Sequence, residues 1–146
     1  MRKVLLGAAT LLLVSGCSST AVNMSEATPV PAAFTYSHQQ RQSSDNATVK
    51  IVLDSGYRVG PCRIGFFIDG ERIADLDKGE VATAYIPAGR HLLGAGLAED
   101  ASGMCKTLSA DGTIIEREAL FNVNEVRSFR IMRDANAYLD IVPTSR

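Results

Sequence analysis

The sequence predicts an all-β chain: a single small antiparallel β-sandwich after a disordered tether. Three observations predict it. From Ala47 to the C-terminus, apolar residues recur at every second position in run after run, the period of a half-buried strand. Turn-forming pairs and triplets punctuate those runs about every 8–12 residues, as in sandwiches and barrels. No segment carries a convincing apolar stripe at the helical period.

The strands follow in order. Val49, Ile51 and Leu53 alternate with Thr48, Lys50 and Val52. Ile64, Phe66 and Ile68 repeat the pattern and run into Asp69-Gly70, whose residues suit the positive φ angles of a tight hairpin. Glu71-Arg72-Ile73 resumes the strand, and Asp77-Lys78-Gly79 reverses it. Val81 to Ile86 is a strand turned by Pro87-Ala88-Gly89, after which His91, Leu93, Ala95 and Leu97 share a face. Asp111-Gly112 precedes a long strand with Ile115, Ala119, Phe121 and Val123. Asn124-Glu125 leads to Val126–Met132, and Asp134-Ala135-Asn136 turns into Tyr138–Val142. Residues 98–104 are read as loop, a short helix being the weaker alternative. The sandwich thus occupies 47–146, a usual size for one domain.

Residues 17–46 are rich in Ser, Thr, Ala, Asn, Gln and Pro and lack apolar periodicity. Such a stretch buries too little surface to offset its ordering entropy, so it reads as a flexible spacer. Phe34 and Tyr36 are the exceptions, and docking on the domain is the expected role for both.

Ahead of the spacer, Met1-Arg2-Lys3 is a basic start and Val4–Val14 a short apolar run. A bilayer-spanning helix needs about 20 apolar residues, so residues 1–16 read as a secretory signal. Val14-Ser15-Gly16-Cys17 then resembles a bacterial lipobox. The resemblance implies cleavage before Cys17 and acylation of that cysteine, with several chains giving stable anchoring. The competing reading is an ordinary signal peptide for which Cys17 is incidental. Ser18 in the next position implies export to the outer membrane, with the domain facing the periplasm. Loss of Arg2 and Lys3 leaves 13 Lys+Arg against 16 Asp+Glu, a formal charge of −3 in place of −1. A mildly acidic chain with no basic run lacks the footprint of a nucleic-acid binder.

With Cys17 used by lipid, Cys62 and Cys105 are an even pair in an oxidising compartment, where a disulfide is expected. Closing a loop of about 44 residues stabilises by roughly 4 kcal/mol on the chain-entropy model. Zinc shared with His91 is the rival, but the ligand spacings of zinc sites do not occur. Nor does a nucleophile elbow or a glycine-rich phosphate loop. His38 lies in the spacer, and His91 after a turn is expected to be packed or hydrogen-bonded. Glu99, Asp100 and Asp111 lack calcium-loop spacing, and Glu116, Arg117 and Glu118 read as an exposed strand face. The expectation is a non-enzymatic module without cofactor or metal.

The run Phe66–Leu76, followed by Ala84-Tyr85-Ile86-Pro87-Ala88-Gly89-Arg90-His91-Leu92-Leu93, resembles PEGA-like domains and related lipoprotein domains. It departs from their pattern at Ala74 and at Asn124-Glu125, where glycine is usual. The resemblance covers about a third of the domain and implies an immunoglobulin-like or transthyretin-like sandwich with an adhesive or accessory role. The expected function is binding of another envelope component by a strand edge or loop tip. Two alternatives stand beside it. One is inhibition of a hydrolase such as lysozyme through the loop Glu99–Lys106, for which substitution of Met104 or Lys106 should lose inhibition. The other is a structural subunit of an envelope or secretion assembly.

Overall fold

The computed structural model describes residues 19–56, 62–98, 105, 113–134 and 138–145. Among the described residues, nine strands form two sheets: β1 (Thr28–Pro29), β2 (Ala47–Leu53), β3 (Ile64–Ile68), β4 (Glu71–Leu76), β5 (Glu80–Ile86), β6 (Gly89–Leu97), β7 (Ile115–Phe121), β8 (Val126–Arg133) and β9 (Leu139–Pro143). One sheet has the order β1-β5-β2-β8-β9 and the other β4-β3-β6-β7. The protein is a small all-β sandwich.

Alternation places the core. Val49 and Ile51 of β2, Phe129 and Ile131 of β8, and Ile86 of β5 line one sheet. Ile64, Phe66 and Ile68 of β3, Leu93 of β6 and Phe121 of β7 belong to the same buried cluster from the other. Asp69 and Gly70 both take positive φ, 51° and 79°, as the expected hairpin turn requires.

Three details depart from simple alternation. β3 is buried on both faces, because Phe67 folds over Gly65, where an added Cβ would lie 2.9 Å from the ring. β2 pairs antiparallel with β5 but parallel with β8, a non-local pairing that no hairpin signal announces. Val123, expected in the long strand, lies beyond the end of β7 in a turn where Asn124 has φ 59°. The turns expected at Asp111-Gly112 and Ala135-Asn136 fall outside the described residues.

The larger difference is residues 19–46, which are applied to the sandwich as a strap rather than standing free of it. β1 pairs with the edge of β5, with N–H to O distances of 3.0 Å for Thr28 to Gly79 and for Val30 to Val81. A 3-10 turn (Ala32–Phe34) follows, and Thr35 then bridges to Ala74 on the free edge of β4. Val30 enters the core and Phe34 packs against it. Arg63 stacks on Phe34 at 3.8 Å, Arg72 on Tyr36 at 4.5 Å, and strap Arg41 on Tyr85 at 4.9 Å. The Tyr36 hydroxyl donates to buried Asp75 at 2.8 Å. Docking of Phe34 and Tyr36 is as expected. The spacer reading fails for these residues because scattered anchors and backbone bonds, not periodic apolar burial, hold them.

The sandwich has two distinct ends. At the first lie the last residues of β2 and β8, the β4–β5 turn and Cys62. At the second lie the Asp69-Gly70 hairpin, the Pro87-Ala88 turn and the turn from Asn122 to Glu125.

Candidate functional site

At the first end the strap begins. Ser19 Oγ accepts from the Arg133 N–H at 3.1 Å, and its own proton is shared between the Arg133 carbonyl at 3.2 Å and Asp54 at 3.3 Å. Thr20 and Ser55 exchange both backbone bonds, at 2.6 and 3.0 Å. Asp54 extends the outward-facing parity of β2, yet its side chain is 1% exposed. It accepts from the Val22 N–H at 3.3 Å and pairs with Arg130 at 2.9 Å. Burial pushes its carboxyl above the usual range, against the downward pull of Arg130, the Val22 N–H and the Ser19 hydroxyl. Ser19, Leu53, Asp54, Cys62 and Met132 line a cleft of about 40 Å³. That is room for a few waters and not for a substrate.

Cys62 and Cys105 form the expected disulfide, with Cα atoms 5.4 Å apart. Cys62 precedes β3 at the first end, whereas His91 hydrogen-bonds to the second. The length of β3 between them, roughly 17 Å at strand rise, keeps His91 away from both sulfurs.

The second end gathers both histidines of the chain. His91 Nδ1 lies 2.6 Å from Asp69 Oδ2 and Nε2 lies 2.9 Å from the Pro87 carbonyl oxygen. His38, docked by the strap, meets Glu71 Oε2 and the Tyr85 carbonyl oxygen, each at 3.2 Å. Both partners of each ring are acceptors, so either ring donates to both only as imidazolium. Partial burial pushes the Asp69 carboxyl up, but the Leu92 N–H, the His91 ring and the charge of both histidines hold it below the usual range. Hydrogen bonds from Ser37 and His38 lower Glu71 as well. His91 is thus hydrogen-bonded, as expected, and also packs edge-on against Phe121.

A carboxyl lowered on folding stabilises the native state above its unfolded value, about 3.9 for Asp, and loses that contribution as pH falls through the folded value. Asn tolerates the φ of 51° at position 69. The Asp69→Asn variant should therefore be less stable than wild type near pH 6, with the gap narrowing toward pH 3. Urea midpoints across that range measure it, and parallel curves would show that Asp69 is not linked to folding.

Beside the same end, Leu120, Val123 and Val126 are 57%, 56% and 60% exposed. Arg127 donates to the Leu120 carbonyl at 2.7 Å, and Glu125 accepts from the Asn122 N–H at 2.7 Å, so the turn carrying Val123 between β7 and β8 is braced. Glu116, Arg117 and Glu118 are exposed as expected but do not share one face: Glu118, outward with Glu116, pairs with Arg90 at 2.7 Å, whereas Arg117 has the parity of Ala119 and Phe121 and reaches Asp140 of β9 at 2.9 Å.

Cys17, Glu99, Asp100, Met104, Lys106 and Asp111 lie outside the described residues. Among the described residues, no group of three or more His, Cys, Asp or Glu side chains could hold a metal. Sequence reasoning missed Ser19, Asp54 and Arg130, because each reads alone as ordinary surface polarity in its own segment. No protein-family model matches the chain, and a search of curated proteins finds no match.

Proposed function

We propose that the protein is a lipoprotein of the cell envelope, anchored at the outer membrane through Cys17, whose sandwich binds another envelope protein without chemistry. One observation carries the binding reading: the uneven distribution of covered and uncovered sheet edges. The strap pairs with β5 and β4, whereas β7 and β9 are, among the described residues, outer strands of their sheets. Leu120 within β7 and Val123 just beyond it are exposed. An uncovered edge offers backbone pairing, and exposed apolar side chains beside it offer burial, the two components of strand-addition recognition. The charges of Glu116, Arg117 and Glu118 guard the edge against indiscriminate pairing.

A photo-reactive phenylalanine analogue at position 123 of the full chain, expressed in its own envelope, should give one discrete protein adduct. Leu120→Asp should abolish that adduct while leaving the melting temperature within a few degrees, since the side chain is mostly exposed. No adduct from position 123 or from position 118 would overturn the reading.

A further inference from the structure

We infer that the first end of the sandwich, where Ser19 docks between β2 and β8, rests directly against the lipid headgroups. This rests on acylation of Cys17, the reading proposed above. Only Ser18 stands between Cys17 and the docked Ser19. Two residues of extended chain span at most about 7 Å. The headgroup layer of one leaflet is roughly 5–7 Å thick. An acylated Cys17 sits in that layer, so Ser19 lies within it or at its outer boundary. A spacer of residues 17–46 would have held the domain tens of ångströms away. Ser19 and Thr20, bonded to Arg133, Asp54 and Ser55, remove that slack.

The side chains at this end fit a lipid surface. Tyr138, which opens β9 here, is 72% exposed, the largest exposure among the large apolar residues described. Tyrosine is enriched where membrane meets water. Lys78 is exposed at the tip of the β4–β5 turn and suits anionic headgroups. Among the described residues, Asp54 is engaged by Arg130, Glu80 by Arg63 at 2.6 Å, and Asp77 and Asp134 accept from the N–H groups of Lys78 and Tyr138. The histidines and the Leu120–Val126 surface face away from the membrane.

The chain contains no tryptophan, so single tryptophans report position cleanly. Lys78→Trp and Tyr138→Trp mark the first end, and Ala88→Trp marks the second. Each processed full-length variant is reconstituted in vesicles containing lipids with a nitroxide on the headgroup. Emission from positions 78 and 138 should be quenched several-fold more than from position 88. A 20-residue Gly/Ser insertion between Ser18 and Ser19 should abolish the difference. Equal quenching at the two ends, in protein whose N-terminal peptide has the mass of an acylated Cys17 and which floats with vesicles, overturns the inference alone. An unmodified Cys17 overturns the anchor reading and the inference with it.

Discussion

Replacing Asp54 with alanine should destabilise the protein by about 3–5 kcal/mol, the usual cost of stranding one partner of a buried ion pair. Arg130 would lose its carboxylate while its side chain remains only 21% exposed. Its Nε is already buried without a hydrogen-bond partner, so little else compensates the charge. The strap would also lose the acceptor for the Val22 N–H and one acceptor for the Ser19 hydroxyl. Loss of Arg130 should be milder and depend on pH in a defined sense. Burial already raises the Asp54 carboxyl, and without the guanidinium it rises further. A carboxyl raised on folding stabilises the native state at pH values below its unfolded value, about 3.9, and that contribution is lost as pH climbs through the folded value. Arg130→Met should therefore recover stability relative to wild type when pH falls from 7 to 5, whereas Asp54→Ala should not. Urea denaturation of both variants at the two pH values decides it. A change below 1 kcal/mol for Asp54→Ala would mean that the pair is solvated.

That pair marks where the sequence stops being legible. The strands announce themselves because each is a local pattern: alternation over Ile64–Ile68, then Asp69-Gly70 at two positive φ angles. Sheet order is not local. β2 and β8 pair in parallel after the chain has built the whole second sheet, and alternation in each strand is compatible with several neighbours. The strap is harder still. Entropy arguments from composition weigh only apolar burial, and residues 19–46 offer little of it. What holds them is a set of separate contacts: Val30 in the core, Phe34 under Arg63, Tyr36 between Arg72 and Asp75, and backbone bonds to two sheet edges. Each needs a partner far away in sequence. Asp54 ends an alternating strand on its outward side, where solvent is the default neighbour. Ser19 and the Val22 N–H of the strap meet it there, together with Arg130 of β8.

The disulfide is the second large term, and it can be separated from packing. Reduction, or the Cys62→Ala/Cys105→Ala pair, removes a cross-link between residues 43 apart. The chain-entropy model assigns such a link about 4 kcal/mol. At roughly 4–8 °C per kcal/mol for a domain near 100 residues, the melting temperature should drop by on the order of 20 °C. Cys105 is buried, so alanine also leaves a small void, and the variant should melt slightly below the reduced wild type. The loss should act mainly through the unfolded chain, which gains freedom, and not through the strands, whose ladders do not include the sulfurs. Refolding of the reduced protein should accordingly slow more than its unfolding accelerates, if loop closure between β3 and the residues before β7 precedes the folding barrier. Thermal melts with and without reductant measure the first effect and chevron plots the second. A drop below about 5 °C would mean that the unfolded chain stays compact without the bridge. The first end of the sandwich would then owe its order to the strap and the Asp54–Arg130 pair.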